Sequence, residues 1–195
     1  MDKPRIGYAL TGSFCTFNES FSTVEKLAAL GYELTPITSF NAYNISTRFG
    51  TREENRERLK SICGRDIICT IEEAEPIGPK RMFDLLIVAP CTSNTLAKLA
   101  TGINDTPVTM AVKSHLRNMR PVLLAISTND ALAAAAKKIG MLQNYRNYYF
   151  VPYRQDDIEK KPLSMVADFS LLPQAAEAAL RGEQLQPIVR MLNNL

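Results

Sequence analysis

Residues 5–38, RIGYALTGSFCTFNESFSTVEKLAALGYELTPIT, carry the pattern that decides the fold. Residues 5–10 are mostly apolar and predict a β-strand, which ends at the turn Thr11-Gly12-Ser13. Apolar side chains recur at helical spacing over residues 20–30, and a glycine ends that helix. Residues 32–38 then predict a second strand. A strand, a glycine-containing turn, a helix and a strand of this length form a βαβ unit, which favours a parallel sheet.

Two later stretches, 83–89 (FDLLIVA) and 121–126 (PVLLAI), are almost wholly apolar. Such runs are typical of central parallel strands that are buried on both faces. The remaining predicted elements are helices over residues 93–101, 107–118, 129–139 and 173–181 and a strand over 147–151. Strands that alternate with helices predict an α/β fold, here a three-layer sandwich of Rossmann or flavodoxin type with a mostly parallel sheet.

The length of 195 residues suits one domain, and we expect residues 1–195 to form it. Residues 39–80 are interpreted as a covering insertion, and residues 141–195 as a C-terminal extension packed on the same domain. Within the insertion the pattern predicts a helix over 51–63, a short strand over 66–71 and a loop over 70–79.

The composition excludes several classes of protein. Hydrophobic residues make up 46% and the net charge is only +3, so neither disorder nor binding to nucleic acid or an anionic membrane is indicated. No run reaches the ~18 apolar residues of a membrane span, and no secretory leader is recognisable. Cys15, Cys63, Cys69 and Cys91 form no CxxC pair, and His115 is the single histidine, so no metal site is expected. Unpaired thiols fit the reducing cytoplasm.

Ligands of open α/β sheets bind at the carboxyl ends of the strands, which here are followed by residues 11–17, 90–95 and 127–130. These loops are rich in hydroxyl, amide and glycine residues, and each leads into a predicted helix whose N–H groups attract phosphate. No GxGxxG or P-loop motif is present. The same hydroxyls could simply cap helices, and that alternative stays open. The candidate cofactor-binding residues are Thr11, Gly12, Ser13, Ser39, Pro90, Thr92, Ser93, Asn94, Thr95, Ser127, Thr128 and Asn129.

The hexapeptide PCTSNT at residues 90–95 resembles the PASANT motif of a flavoprotein family. That family includes phosphopantothenoylcysteine decarboxylase, the lantibiotic cysteine decarboxylases and the flavin prenyltransferases. Residues 96–105 resemble the helix and the glycine–aspartate exit that follow this motif, and residues 11–13 resemble the family's first loop. Residues 125–129, AISTN, occupy the place of its PxMN segment and keep only the asparagine. The resemblance implies that these loops hold FMN.

The segments YALTGSFCTF, STRFGTREE and AISTNDALAAAAKKIG resemble one branch of this family, which is one component of a two-component oxidoreductase of spore-forming bacteria. The resemblance implies dehydrogenation of a cyclic dihydro dicarboxylate, together with a partner protein. It leaves open whether FMN in this chain or NAD(P) in the partner accepts the hydride. It also implies a homo-oligomer in the cytoplasm of the mother cell. A flavin-dependent decarboxylase or prenyltransferase and a non-catalytic binding protein remain alternatives, although residues 39–65 lack the histidine that the decarboxylases carry there.

Two residues are candidates for contact with substrate. Arg48 lies between hydroxyl residues and a glycine in NISTRFGT (residues 44–51), a sequence suited to a loop that closes on a carboxylate. Its alternative is a solvated loop arginine. His115, as the single histidine, is the candidate general base, although no nearby carboxylate in the sequence would orient it.

Overall fold

A seven-stranded sheet forms the middle layer of the protein, seen in a computed structural model that describes residues 3–191. The ends of the predicted domain, residues 1–2 and 192–195, lie outside the described residues. The strands are Arg5–Leu10 (β1), Glu33–Thr38 (β2), Leu85–Cys91 (β3), Val122–Thr128 (β4), Tyr148–Phe150 (β5), Tyr153–Asp157 (β6) and Lys161–Ala167 (β7). The helices are Phe17–Ala29 (α1), Phe40–Asn44 (α2), Arg52–Cys63 (α3), Ile71–Ala74 (α4), Ser93–Thr101 (α5), Pro107–Leu116 (α6), Ala136–Gln143 (α7) and Leu172–Leu180 (α8).

The strand order is β2-β1-β3-β4-β7-β6, and β5 pairs with β4. Strands β1 to β5 pair in parallel, whereas β7 pairs antiparallel with the end of β4 and with β6. The chain moves from β1 outward to β2 and then returns to β3 on the other side of β1. Loops leave the sheet in opposite directions at such a point, so a crevice opens where β1 and β3 end.

Helices cover both faces of the sheet, as the alternation of strands and helices predicted. In β3 every residue is buried, and its side chains alternate between the two faces. One face packs against α1, α3 and α8, and the other against α5, α6 and α7. This arrangement confirms the three-layer sandwich. Within residues 3–191, no helix has both the length and the apolar character needed to cross a bilayer.

The predicted strand over residues 66–71 and the loop over 70–79 are wrong. Only Ile68 pairs with the sheet, through a bridge beside β2. The backbone N–H groups of Cys69 and Thr70 both donate to the carboxylate of Glu73, at 2.9 and 3.1 Å. This contact with Thr70 completes a capping box, so the chain enters α4 instead of continuing as a strand.

The predicted helix over residues 129–139 is also wrong in its position, because turns occupy residues 129–135 and α7 begins later. The carbonyl of Asp130 accepts the N–H groups of Ala133 and Ala135, and the N–H of Leu132 donates to the carbonyl of Leu163 at 3.0 Å. The turn at Asp130 and the contact with the β6–β7 hairpin outweigh the helix propensity of an alanine-rich segment. The sequence did not predict this hairpin.

Candidate functional site

The loops after β1 and β3 are joined by one buried hydroxyl. Thr11, 1% exposed, donates from Oγ1 to the carbonyl oxygen of Pro90 at 2.7 Å and accepts the N–H of Thr92 at 3.1 Å. Pro90 and Thr92 are 79 and 81 residues from Thr11 in the chain. They come close to it because β1 and β3 are adjacent in the sheet. The hydroxyl of Thr11 therefore fixes the spacing of the two loops.

The loop after β4 reaches the same place through a second hydroxyl pair. The Oγ atoms of Ser13 and Ser127 are 2.8 Å apart, and Oγ1 of Thr16 is 3.4 Å from Oγ of Ser127. Three segments that are distant in the chain therefore meet at one edge of the sheet. We call the surface formed by residues 11–16, 90–95 and 127–130 the cradle.

The start of α5 contributes backbone donors to the cradle. Thr92 is the N-cap of α5, and its hydroxyl accepts the N–H of Thr95, whose side chain is buried. The first intrahelical bond runs from the N–H of Leu96 to the carbonyl of Thr92, so the N–H groups of Ser93 and Asn94 precede the helical ladder. The side chain of Asn94 is exposed beside them.

Ser39 lies next to the first loop. Its N–H donates to the carbonyl of Leu10 at 2.9 Å, and its hydroxyl caps α2 by accepting the N–H of Ala42. A Cβ added at Gly12 would lie 3.5 Å from Cβ of Asn41 in α2, which is ordinary contact. The same Cβ would lie 3.6 Å from the ring of Phe14, so α2 and the Phe14 ring both border the backbone of Gly12 at ordinary contact distance.

Asp130 is the carboxylate of the cradle, and the sequence pattern alone did not identify it as a site residue. It accepts a hydrogen bond from Oγ of Ser93 at 2.9 Å and a second one from Oγ1 of Thr128. It thereby ties the start of α5 to the end of β4. Its position directly after Asn129, at the end of a buried strand, was the signal that could have identified it.

The structure does not bring His115 into the cradle. Its ring is 1% exposed, and Nε2 is 3.0 Å from the carbonyl oxygen of Pro121, which precedes β4 at the opposite edge of the sheet. Burial lowers the pKa of His115 to about 4. A neutral, buried imidazole at that edge serves packing, so the candidate role as general base has no support from its position.

Arg48 is exposed in a tight turn between α2 and α3. The backbones of Thr47 and Gly50 exchange hydrogen bonds of 3.0 and 3.2 Å, and the guanidinium lies 4.8 Å from the ring centroid of Phe49. In the part of the chain that the structure describes, no carboxylate lies within 4 Å of this guanidinium. Arg48 is therefore available for an anion, and a role in binding one stays a prediction.

Cys91 ends β3 beneath the cradle and is fully buried. Burial raises the pKa of this thiol far above its ordinary value. A thiol that stays protonated is a poor nucleophile, so Cys91 serves as a small packing residue under the cradle.

Comparison with known proteins agrees with this geometry. A model of the Flavoprotein family matches residues 1–169. The dipicolinate synthase B subunit of Bacillus subtilis is 45% identical over 185 residues, 95% of this chain and 92% of that protein. The crystal structure of the dipicolinate synthase B subunit from Bacillus halodurans has a TM-score of 0.89 at 40% identity, over 96% of both chains.

DmrB of Burkholderia xenovorans, solved in complex with FMN, shares the fold. Its TM-score is 0.69 at 19% identity, and the match covers 92% of this chain and 96% of that one. The family match and the high identity over nearly the whole length confirm the resemblance that the loop sequences indicated. The chain belongs to the flavoprotein family, in the branch that contains the dipicolinate synthase B subunits.

Proposed function

We propose that this chain is the B subunit of a dipicolinate synthase and that, with the A subunit, it oxidises dihydrodipicolinate to dipicolinate (pyridine-2,6-dicarboxylate) in the mother cell during sporulation. The main support is the 45% identity to the Bacillus subtilis protein over nearly the full length. The cradle adds support, because Thr11, Ser13 and Ser127 join three loops into one polar surface at the place where ligands of such sheets bind.

The donor set of the cradle fits FMN. The hydroxyl of Ser13, that of Ser39 beside the cradle and the N–H groups at the start of the helical turn Phe14–Thr16 suit a phosphate group, which binds such donors without needing a cation. Asn94 and the N–H groups of α5 suit the polar edge of a ring. FMN, when bound, supplies a hydride acceptor; the loops of this chain bind and orient it.

The substrate is a dianion, so a cation is expected near it. Arg48 fits this requirement because its guanidinium has no carboxylate partner among the described residues and lies in a turn next to α2.

The oxidation removes a hydride and a proton from the dihydro ring. The hydride acceptor is FMN in this chain or NAD(P) held by the A subunit, and reconstitution with each cofactor omitted in turn distinguishes the two.

A decarboxylase of the family's usual kind is the less favoured function. Residues 39–65 contain no histidine, and His115 is buried at the other edge of the sheet. We also propose that the protein forms a homo-oligomer, because Leu132 in the turn after β4 and Ile158 and Leu163 in the β6–β7 hairpin are 49, 42 and 47% exposed. Its relative DmrB forms a cubic protein cage. Light scattering of the purified chain measures the oligomeric state.

The test is reconstitution from the two purified proteins. We expect the chain to bind FMN in calorimetry, and dihydrodipicolinate to be converted only when both proteins are present, with dipicolinate measured by terbium luminescence. Asn94→Ala should abolish the turnover, whereas Asn144→Ala, an exposed asparagine at the end of α7, should leave it intact.

Omitting FMN and then NAD(P) identifies the hydride acceptor. Full turnover by the A subunit without this chain would refute a catalytic role of this chain and would favour the non-catalytic binding function. A failure to bind FMN would refute the cofactor proposal only.

A further inference from the structure

The cradle holds one carboxylate, that of Asp130, and it is half-buried. Among residues 3–191, no lysine or arginine nitrogen lies within 4 Å of it. Its partners are the hydroxyls of Ser93 and Thr128. An ionised carboxylate only accepts hydrogen bonds, so each hydroxyl must give its single proton to Asp130.

The two hydroxyls are therefore left as acceptors towards the cradle. A hydroxyl has one proton and two lone pairs, and with the proton committed it offers only lone pairs to a ligand. The negative charge of Asp130 strengthens this polarity. A phosphate or carboxylate would be repelled here, whereas an N–H group would find up to three acceptors.

The two sides of the sheet edge thus differ. Side chains alternate across a strand, and Ser127 faces α1, where it contacts Ser13, whereas Thr128 faces α5, where it contacts Asp130. On the α1 side, the described cradle residues supply hydroxyls and helical N–H groups and no carboxylate, and Glu19 in the first turn of α1 is exposed. The α5 side has Asp130 and its two acceptor hydroxyls beside the N–H groups at the start of α5.

We propose that Asp130 is a positioning residue that makes Ser93 and Thr128 acceptors for the ring N–H of an imide edge. An imide carries one N–H beside carbonyl oxygens, which matches acceptor hydroxyls that lie beside the N–H groups at the start of α5. This inference rests on the proposed flavin site: the ligand's phosphate lies on the α1 side and its pyrimidine imide on the α5 side.

The test compares FMN with 3-methyl-FMN, whose imide N–H is replaced by N–CH3. The full-length chain, freed of any flavin that copurifies, is titrated with each and its affinity is read from quenching of flavin fluorescence. We expect the wild type to prefer FMN by roughly tenfold or more, the equivalent of one well-formed hydrogen bond to a charged network.

Asp130→Asn should reduce this preference to about twofold or threefold, within the range of a weak neutral hydrogen bond. The amide accepts from one hydroxyl but donates to the other, whose own proton then becomes free to point into the cradle. A methyl group that merely clashed with the protein would still clash in this variant, so the change in preference separates polarity from steric fit. Asp66→Asn, at an exposed carboxylate, is the matched control and should keep the wild-type preference.

If Asp130→Asn fails to fold, Ser93→Ala supplies the second variant, because it removes one acceptor and leaves the charge; it should weaken the preference for FMN. Equal affinity of the wild type for both flavins would overturn the inference while leaving the flavin site standing. An undiminished preference in both Asp130→Asn and Ser93→Ala would also overturn it. Binding of neither flavin would refute the cofactor proposal itself and the inference with it.

Discussion

Thr11→Val tests the contact that holds the first two loops of the cradle together. Valine keeps the shape of threonine but lacks the hydroxyl, so the carbonyl of Pro90 and the N–H of Thr92 both lose a partner. Two hydrogen bonds are worth about 1 kcal/mol each, and a buried carbonyl without a partner costs about 1–3 kcal/mol more. Thr92 is half-buried, so water replaces the lost partner of its N–H and offsets about 1 kcal/mol of this loss, whereas Pro90 is buried. The free energy of unfolding should therefore fall by about 2–4 kcal/mol.

The assay is urea denaturation followed by circular dichroism, with a melting curve as a second measurement. At this chain length the expected loss corresponds to a fall in Tm of roughly 5–15 °C. Thr11→Ser is the control, because it keeps the hydroxyl and loses only a methyl group, which is worth about 1 kcal/mol. A loss below about 0.5 kcal/mol in Thr11→Val, or an equal loss in Thr11→Ser, would refute the role given to this hydroxyl.

Three further predictions concern other parts of the fold. The pKa of His115 is lowered to about 4, so its contribution to stability is fully present above pH 6.5 and is lost as the pH falls towards 4; the loss is about 3 kcal/mol in urea titrations, and His115→Gln should flatten this dependence. With a thiol reagent under native conditions, exposed Cys15 should react quickly and buried Cys91 only on unfolding, and Cys15→Ser should remove the fast phase. Gly7→Ala should lower stability by about 1–3 kcal/mol in the same urea assay, because its Cβ would lie 2.6 Å from the buried ring of Phe83; an unchanged midpoint would contradict this packing.

Local pattern was sufficient for the elements that are buried on both faces. The strands β3 and β4 are so rich in apolar residues that they fit only the centre of the sheet, where both faces are buried. The βαβ unit over residues 5–38 follows from its glycine turn and helical spacing. The same pattern predicted that residues 11–17, 90–95 and 127–130 meet, because parallel strands end at one edge of a sheet.

Elements whose state depends on distant partners were not predictable in this way. Residues 129–135 have the composition of a helix, yet the contact between Leu132 and Leu163 holds them in turns. The location of His115 beside Pro121 follows from how α6 packs. Asp130 was visible as a residue of a loop, but not as the acceptor of protons from Ser93 and Thr128.

The amino-acid sequence by itself determined the layered α/β fold and which loops lie at the binding edge, because periodicity and chain connectivity act along the chain. The tertiary structure alone decided which hydroxyl faces which partner across that edge. Hydrogen-bond direction depends on atoms that neighbouring strands bring within about 3 Å, and these atoms are 37 to 114 residues apart in the chain.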